Sequence, residues 1–169
     1  PIKIEEMPAF LKQATISIED KNFYKHDGFD ILGTLRGLSR LFTRGYAQGG
    51  STLTQQLVKN VLLSSDRTVM RKVKEFILAV QIERKYTKDQ ILQMYLNEAP
   101  YGGTAWGVES ASQTYFGKSA KDLNLVESAI LAGMPQLPSR YSPYSSTPKA
   151  YVDRTENVLR RMREDGYIS

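Results

Sequence analysis

The stretch Glu19-Asp20-Lys21-Asn22-Phe23-Tyr24-Lys25-His26-Asp27-Gly28 decides how the rest of the chain is read. It follows Phe10, Leu11, Ala14 and Ile18, which recur at helical spacing and predict a first helix ending near Glu19. Two adjacent carboxylates therefore close an apolar run. An aromatic pair, the only histidine and a glycine come next, an order that a merely solvated helix end does not require. Taken alone, the segment also fits a helix C-terminus with exposed acids and a turn at Asp27-Gly28. Its surroundings separate the two readings.

Working outward, helical periodicity dominates and strand alternation is almost absent. Ile31, Leu35, Leu38 and Phe42 predict a second helix. Arg36, Arg40 and Arg44 run along its edge, a pattern that suits a helix lying in an anionic membrane interface, or a core helix with one solvated edge. Three glycines between Thr43 and Gly50 predict a loop, and Ser51 is placed to cap a third helix reaching about Leu63. Leu53, Leu57 and Val61 form its apolar stripe. Thr52, Gln56 and Lys59 share the opposite face with Gln55 and Asn60 at its flanks, an amide-rich surface suited to ligand hydrogen bonds.

Ser64-Ser65-Asp66 breaks the pattern before a fourth helix from about Thr68 to Tyr86. With Val69, Val73, Phe76 and Val80 on one side and Leu78, Ala79 and Ile82 on another, this helix reads as central. Thr87-Lys88-Asp89-Gln90 is a capping-box sequence for a fifth helix. A glycine-aromatic loop, a helix from Val108 to Tyr115 and another through Leu123, Val126 and Leu131 come next. Pro135, Pro138, Pro143 and Pro148 then predict an extended segment. A last helix from about Tyr151 to Asp165 turns Val152, Thr155, Leu159 and Met162 inward, with Gly166 as its stop. The expected fold class is all-α, in one domain.

Composition narrows the function classes. The 169 residues are 41% hydrophobic and 24% charged, which is ordinary for a folded domain and argues against disorder. With no cysteine, a disulfide framework and a thiolate zinc site are both excluded. No run of 18 apolar residues is present to span a bilayer. The net charge of +5 is concentrated: Lys59, Arg67, Arg71, Lys72, Lys74, Arg84, Lys85 and Lys88 face only Asp66, Glu75 and Glu83 in the same window. Such a concentration implies a phosphate-bearing partner, an anionic membrane or nucleic acid, against a solvated helix face.

Three blocks now stand in register: Glu19-Asp20-x-x-Phe23-x-x-His26-x-Gly28, Gly50-Ser51-Thr52-x-Thr54-Gln55-Gln56-x-x-Lys59-Asn60 and Arg71-Lys72-x-x-Glu75. Together they resemble the peptidoglycan glycosyltransferases, glycosyltransferase family 51. These occur as the first domain of class A penicillin-binding proteins and as monofunctional enzymes. Lys88-Asp89-x-Ile91-Leu92-x-x-Tyr95-Leu96-Asn97 and Glu127-Ser128-Ala129-x-Leu131-Ala132-Gly133-Met134-Pro135-Gln136-x-Pro138-Ser139 look like the family's two remaining blocks. The similarity covers nearly the whole chain.

The resemblance implies a lysozyme-like helical lobe and a smaller, membrane-associated jaw at about residues 29–66, with a cleft between them. It implies polymerisation of lipid II into β-1,4 glycan strands, with the growing strand as donor and undecaprenyl pyrophosphate as leaving group. By similarity, Glu19 is the base that takes the proton of the acceptor 4-hydroxyl, as attack on an anomeric carbon requires. Lys59, Arg67, Arg71 and Lys72 are expected around the diphosphate, where cations favour its departure. Asp20, Thr52, Gln55, Gln56 and Asn60 are expected to contribute to binding sugar and phosphate. Glu75 either helps hold a divalent cation (Mg²⁺ or Mn²⁺) shared with the diphosphate or orients Arg71 and Lys72. His26 is expected to be structural. The implied location is the outer face of the bacterial cytoplasmic membrane, with an anchor outside this stretch, a transpeptidase domain C-terminal to it and no nucleic-acid partner. A lysozyme-like hydrolase and a non-enzymatic basic binding module are the competing readings.

Overall fold

The computed structural model describes residues 1–44, 49–63 and 68–169, and at 37, 38 and 40–44 the backbone alone. Arg67, the break at Ser64-Ser65-Asp66, part of the glycine-bearing loop and the side chains of Arg40 and Arg44 lie outside the described residues. The described chain is helical, as its periodicity predicts. In order come α1 (Ala9–Glu19), α2 (Ile31–Arg44), α3 (Leu53–Leu62), α4 (Val69–Lys85), α5 (Lys88–Glu98), α6 (Val108–Phe116), α7 (Leu125–Gly133), α8 (Pro138–Tyr141) and α9 (Pro148–Glu164).

The central helix is α1. Leu11, Ala14, Thr15, Ile16, Ser17 and Ile18 are all buried, so from Ala14 to Ile18 this helix has no solvent face. Leu11 and Ile16 join the larger core with Phe23, Leu53, Leu57, Ile91, Leu92, Tyr95 and Leu96. Ala14 and Ile18 join a second core with Ala129 and Ala132 of α7 and Val158 and Met162 of α9. Small side chains at Ala14, Ala129 and Ala132 let the three helix backbones approach closely, in the manner of ridges fitted into shallow grooves. The C-terminus of α1, where Glu19 sits, is thereby fixed from two sides.

The expectation of a central α4 is corrected. Only Glu75 and Ala79 of this helix are buried, while Val69 is 83% and Met70 62% exposed. Val73, Phe76 and Ile77 are also exposed. Two apolar faces indicated burial, but among the described residues the side carrying Val69 and Val73 is left largely uncovered. The proline-rich segment is likewise not wholly extended: Pro138 opens the one-turn α8, and Pro148 opens α9, where a missing N–H costs nothing. In α9 the inward residues are Arg154, Thr155, Val158 and Met162, whereas Val152 is largely exposed.

Ala14→Leu should overpack the crossing of α1 with α7 and α9 and cost about 1–3 kcal/mol. Val126→Ala, on the exposed side of α7, should stay within about 0.5 kcal/mol. Urea denaturation of the two variants checks both values.

Candidate active site

Asp20 caps α1 and is folded inward. Its Oδ2 accepts from the Leu53 N–H at 3.0 Å and from His26 Nε2 at 2.7 Å. His26 Nδ1 in turn accepts from the Gly28 N–H at 3.1 Å, which puts the ring proton on Nε2. Asp20 thus places a negative charge at the N-terminus of α3, where the helix dipole favours it. Thr52 caps the same helix: its Oγ1 accepts from Gln55 N at 3.2 Å and donates to Gly28 O at 2.8 Å. Gln55 Oε1 answers by accepting from Thr52 N at 2.9 Å. Asp20, Thr52 and Gln55 are all buried, with these polar atoms engaged inside the protein.

The 20–28 segment is bound on its other side as well. Gly28 has φ +98°, and a Cβ there would lie 3.0 Å from Ala79 O and from Glu83 Cγ, so only glycine fits. Lys88 Nζ donates to His26 O at 2.5 Å and to Glu83 Oε1 at 2.8 Å, and lies 4.7 Å from the Phe23 ring centre. Thr54 Oγ1 completes the knot with a 2.7 Å bond to Glu83 Oε1. Lys88, one of the eight cations of the basic window, therefore serves the fold.

Glu19 is held at both carboxylate oxygens. Arg154 Nη2 donates to Oε1 at 3.2 Å, and Gln56 Nε2 donates to Oε2 at 3.0 Å. Both members of the Glu19–Arg154 ion pair keep less than a tenth of their side-chain surface. Arg154 is fixed in turn by a bond from its Nε to Gly133 O at 3.1 Å and by the Tyr141 ring, 5.2 Å from its Cζ. Gly133 gives it passage, since a Cβ there would lie 2.9 Å from Arg154 Cγ. Gln56 also accepts at Oε1 from the Tyr95 hydroxyl at 3.3 Å. Burial, followed by the Glu19 charge, pushes the Tyr95 phenol well above its ordinary range.

A second cluster lies along α3 and α4. Lys72 Nζ bridges Ser51 Oγ at 2.8 Å and Glu75 Oε1 at 2.6 Å. Glu75 is 1% exposed, and its Oε2 has no hydrogen-bond partner among the described residues. Lys59 is solvent-exposed as a residue, yet its pKa is lowered: nearby protein displaces water from its ammonium, and Lys72 and Arg71 add like charge against the opposing pull of Glu75 and Glu19. It thus feels the charge of both glutamates. Arg71 and Asn60 are half-buried on the same two helices.

Of the sequence-predicted site residues, Glu19, Gln56, Lys59, Lys72 and Glu75 thus converge, while Asp20, Thr52 and Gln55 lie inside the clamp that orients α3. Arg154 was missed. In sequence it is one of several charged residues on α9; the available signal was its phase, four and eight residues before the buried Val158 and Met162. Among the described residues no group of three acidic, histidine or cysteine side chains could hold a metal unaided. The donor set fits a divalent cation only as one held between Glu75 Oε2 and oxygens of a bound phosphate.

Comparison with known proteins identifies the family. The family model described as Transglycosylase matches residues 1–163. Penicillin-binding protein 1A of Clostridium tetani is 48% identical over 99% of this chain and 22% of its own length. Penicillin-binding protein 1F of Bacillus subtilis is 44% identical over 100% of this chain and 24% of its own length. Penicillin-binding protein 1A of Escherichia coli is 45% identical over 100% of this chain and 20% of its own length. The chain spans between a fifth and a quarter of the length of the curated relatives it matches. With the family model covering nearly every residue and five motif blocks in register, the chain belongs to the transglycosylase family.

Proposed function

We propose that this chain polymerises lipid II into β-1,4 glycan strands. The observation that carries the reading is the pairing of a buried, doubly held carboxylate, Glu19, with the cation group Lys59, Arg71 and Lys72 around Glu75. A base and a diphosphate receptor are the two halves of this transfer. The acceptor 4-hydroxyl oxygen bonds to the anomeric carbon of the growing strand as the bond from that carbon to the diphosphate oxygen breaks. The hydroxyl proton passes to Glu19, and the electron pair leaves with undecaprenyl pyrophosphate. Attack from the face opposite the leaving group inverts the anomeric centre. Lys59 and Lys72 present point charges to the departing diphosphate, and Arg71 a planar fork. A divalent cation, Mg²⁺ or Mn²⁺, held by Glu75 and the phosphates would add charge neutralisation there.

Arg154 compensates the charge of Glu19 and fixes its plane, which a base needs if its lone pair is to meet the hydroxyl. The uncovered apolar residues of the early α2 and α4 turns, including Ile31, Leu32, Val69 and Met70, form the surface by which the enzyme sits in the bacterial cytoplasmic membrane. No described helix is long and apolar enough to cross it. A tilted contact of Phe29 with Phe76, ring centres 4.9 Å apart, joins the residue before α2 to α4. The substrate-bearing face is then the outer one, and the parent chain carries a transpeptidase domain C-terminal to this one.

Purified lipid II in detergent should give glycan polymer with this chain and none with Glu19→Gln; polymer from the variant would remove Glu19 from the mechanism, and cleavage of finished strands without synthesis would mean a hydrolase. Arg154→Met should lower turnover at least about tenfold and destabilise the fold by about 3–5 kcal/mol, because it leaves a buried carboxylate uncompensated. Turnover assays and denaturation of the same preparation check this. Co-sedimentation with phosphatidylglycerol vesicles should fall markedly in the Ile31→Glu, Val69→Glu double variant, and unchanged binding would remove the membrane assignment from that surface.

A further inference from the structure

Gln56 is usefully constrained by what its neighbours can and cannot do. The Glu19 carboxylate and the Ser51 carbonyl are acceptors, and they lie 3.0 and 3.5 Å from Nε2. The Tyr95 hydroxyl, 3.3 Å from Oε1, has a proton to give. Only one orientation of the amide satisfies all three. Rotated by half a turn, Gln56 would set its oxygen against the carboxylate and its amino group against a hydroxyl already pointing at it. The Tyr95 side chain is fully enclosed, and Gln56 is its one hydrogen-bond partner among the described residues.

The geometry points to Tyr95 as a positioning residue for the general base, acting through Gln56. This rests on the lipid II reading above and deepens it. Tyr95 on α5, Gln56 on α3 and Glu19 on α1 form a chain of hydrogen bonds across three helices. The far end fixes the amide, and the amide fixes the carboxylate. It also makes the two carboxylate oxygens unequal. Oε1 faces a guanidinium, a charge-assisted bond, while Oε2 faces a neutral amide. Oε2 is therefore the more basic oxygen, and its remaining lone pair accepts the proton of the acceptor hydroxyl. Removing the Tyr95 hydroxyl leaves the amide held only at its Nε2 end, so the donor on Oε2 is less firmly placed. A misplaced base slows the chemical step and leaves substrate binding alone.

Tyr101 supplies the control. It is as deeply buried as Tyr95 and likewise feels the charge of Glu19, but its hydroxyl has no hydrogen-bond partner among the described residues. Tyr101→Phe removes the same atom from the same core, and deleting an unpaired buried hydroxyl should be neutral or stabilising. In steady-state polymerisation of lipid II, Tyr95→Phe should lower kcat about tenfold with KM within about twofold, and Tyr101→Phe should leave both unchanged. In a Gln56→Ala background, Tyr95→Phe should have no further effect on kcat. Unchanged turnover in Tyr95→Phe, a change confined to KM, or additive losses in the double variant would overturn the assignment.

A second readout needs no turnover. The side-chain ¹⁵N amide signal of Gln56 should follow the protonation of Glu19 in the wild type and follow it with a clearly smaller amplitude in Tyr95→Phe. An undiminished amplitude in the variant overturns the inference whatever the kinetics show. A wild type that makes no polymer would instead end the lipid II reading, and the amide signal would still decide the role of Tyr95.

Discussion

Two carboxylates end a buried helix, at the pole where the backbone dipole is already negative. Much of the site's architecture follows from answering that charge. Asp20 is turned onto the N-terminus of α3, so the unfavourable end of one helix meets the favourable end of another through a single side chain. Glu19 cannot be answered in the same way without losing its lone pairs. It is given one cation and one amide, each taking one oxygen and leaving room on it. The acidic pair thus divides its labour. One acid joins helices, and the other, in the proposed reaction, serves as the base.

Neither answer would hold if the helices could slide. The alanine-lined contact of α1 with α7 and α9 brings Arg154 to Glu19 from 135 residues away in sequence. The missing Cβ of Gly133 lets the arginine pass along α7 and bond its backbone. On the opposite side, Gly28 allows the 20–28 segment to press against α4, and Lys88 ties that segment to α5. Small residues on both sides therefore do the positioning, and long polar side chains complete it. Where α4 leaves the core, Glu75 stays inside and its apolar neighbours face outward, so one helix carries a buried carboxylate on one side and exposed apolar residues on the other.

The sequence made the helices legible because their caps and periodicity are local. Thr52 with Gln55 and Thr87 with Gln90 form the predicted kind of box. Glu19 was legible through its neighbours, and the cations of α3 and α4 through their concentration. What failed depended on partners distant in the chain. An arginine on α9 looks like solvated charge until α1 is packed beside it. Charge concentration alone also does not say that Lys88, in the same window, is taken up by Glu83 and the His26 carbonyl. The second apolar face of α4 looks like core because periodicity reports an apolar surface without saying what covers it. Thr52 and Gln55 share a face with Gln56, and spacing cannot tell which of the three amide and hydroxyl groups the fold itself uses.

Because α1 belongs to both cores, opening either one strips packing from the helix that carries Glu19. Local fluctuation that releases α9 takes Arg154 from Glu19, and one that releases α5 or α3 takes Gln56 and its support. The carboxylate's environment consequently has no partly assembled form of low free energy. In hydrogen-exchange terms, the α1 amides and the groups around Glu19 belong to one cooperative unit that opens only near the global unfolding free energy. The site is as durable as the whole domain, and a destabilised variant should lose it by the fraction of molecules unfolded and not by gradual loosening.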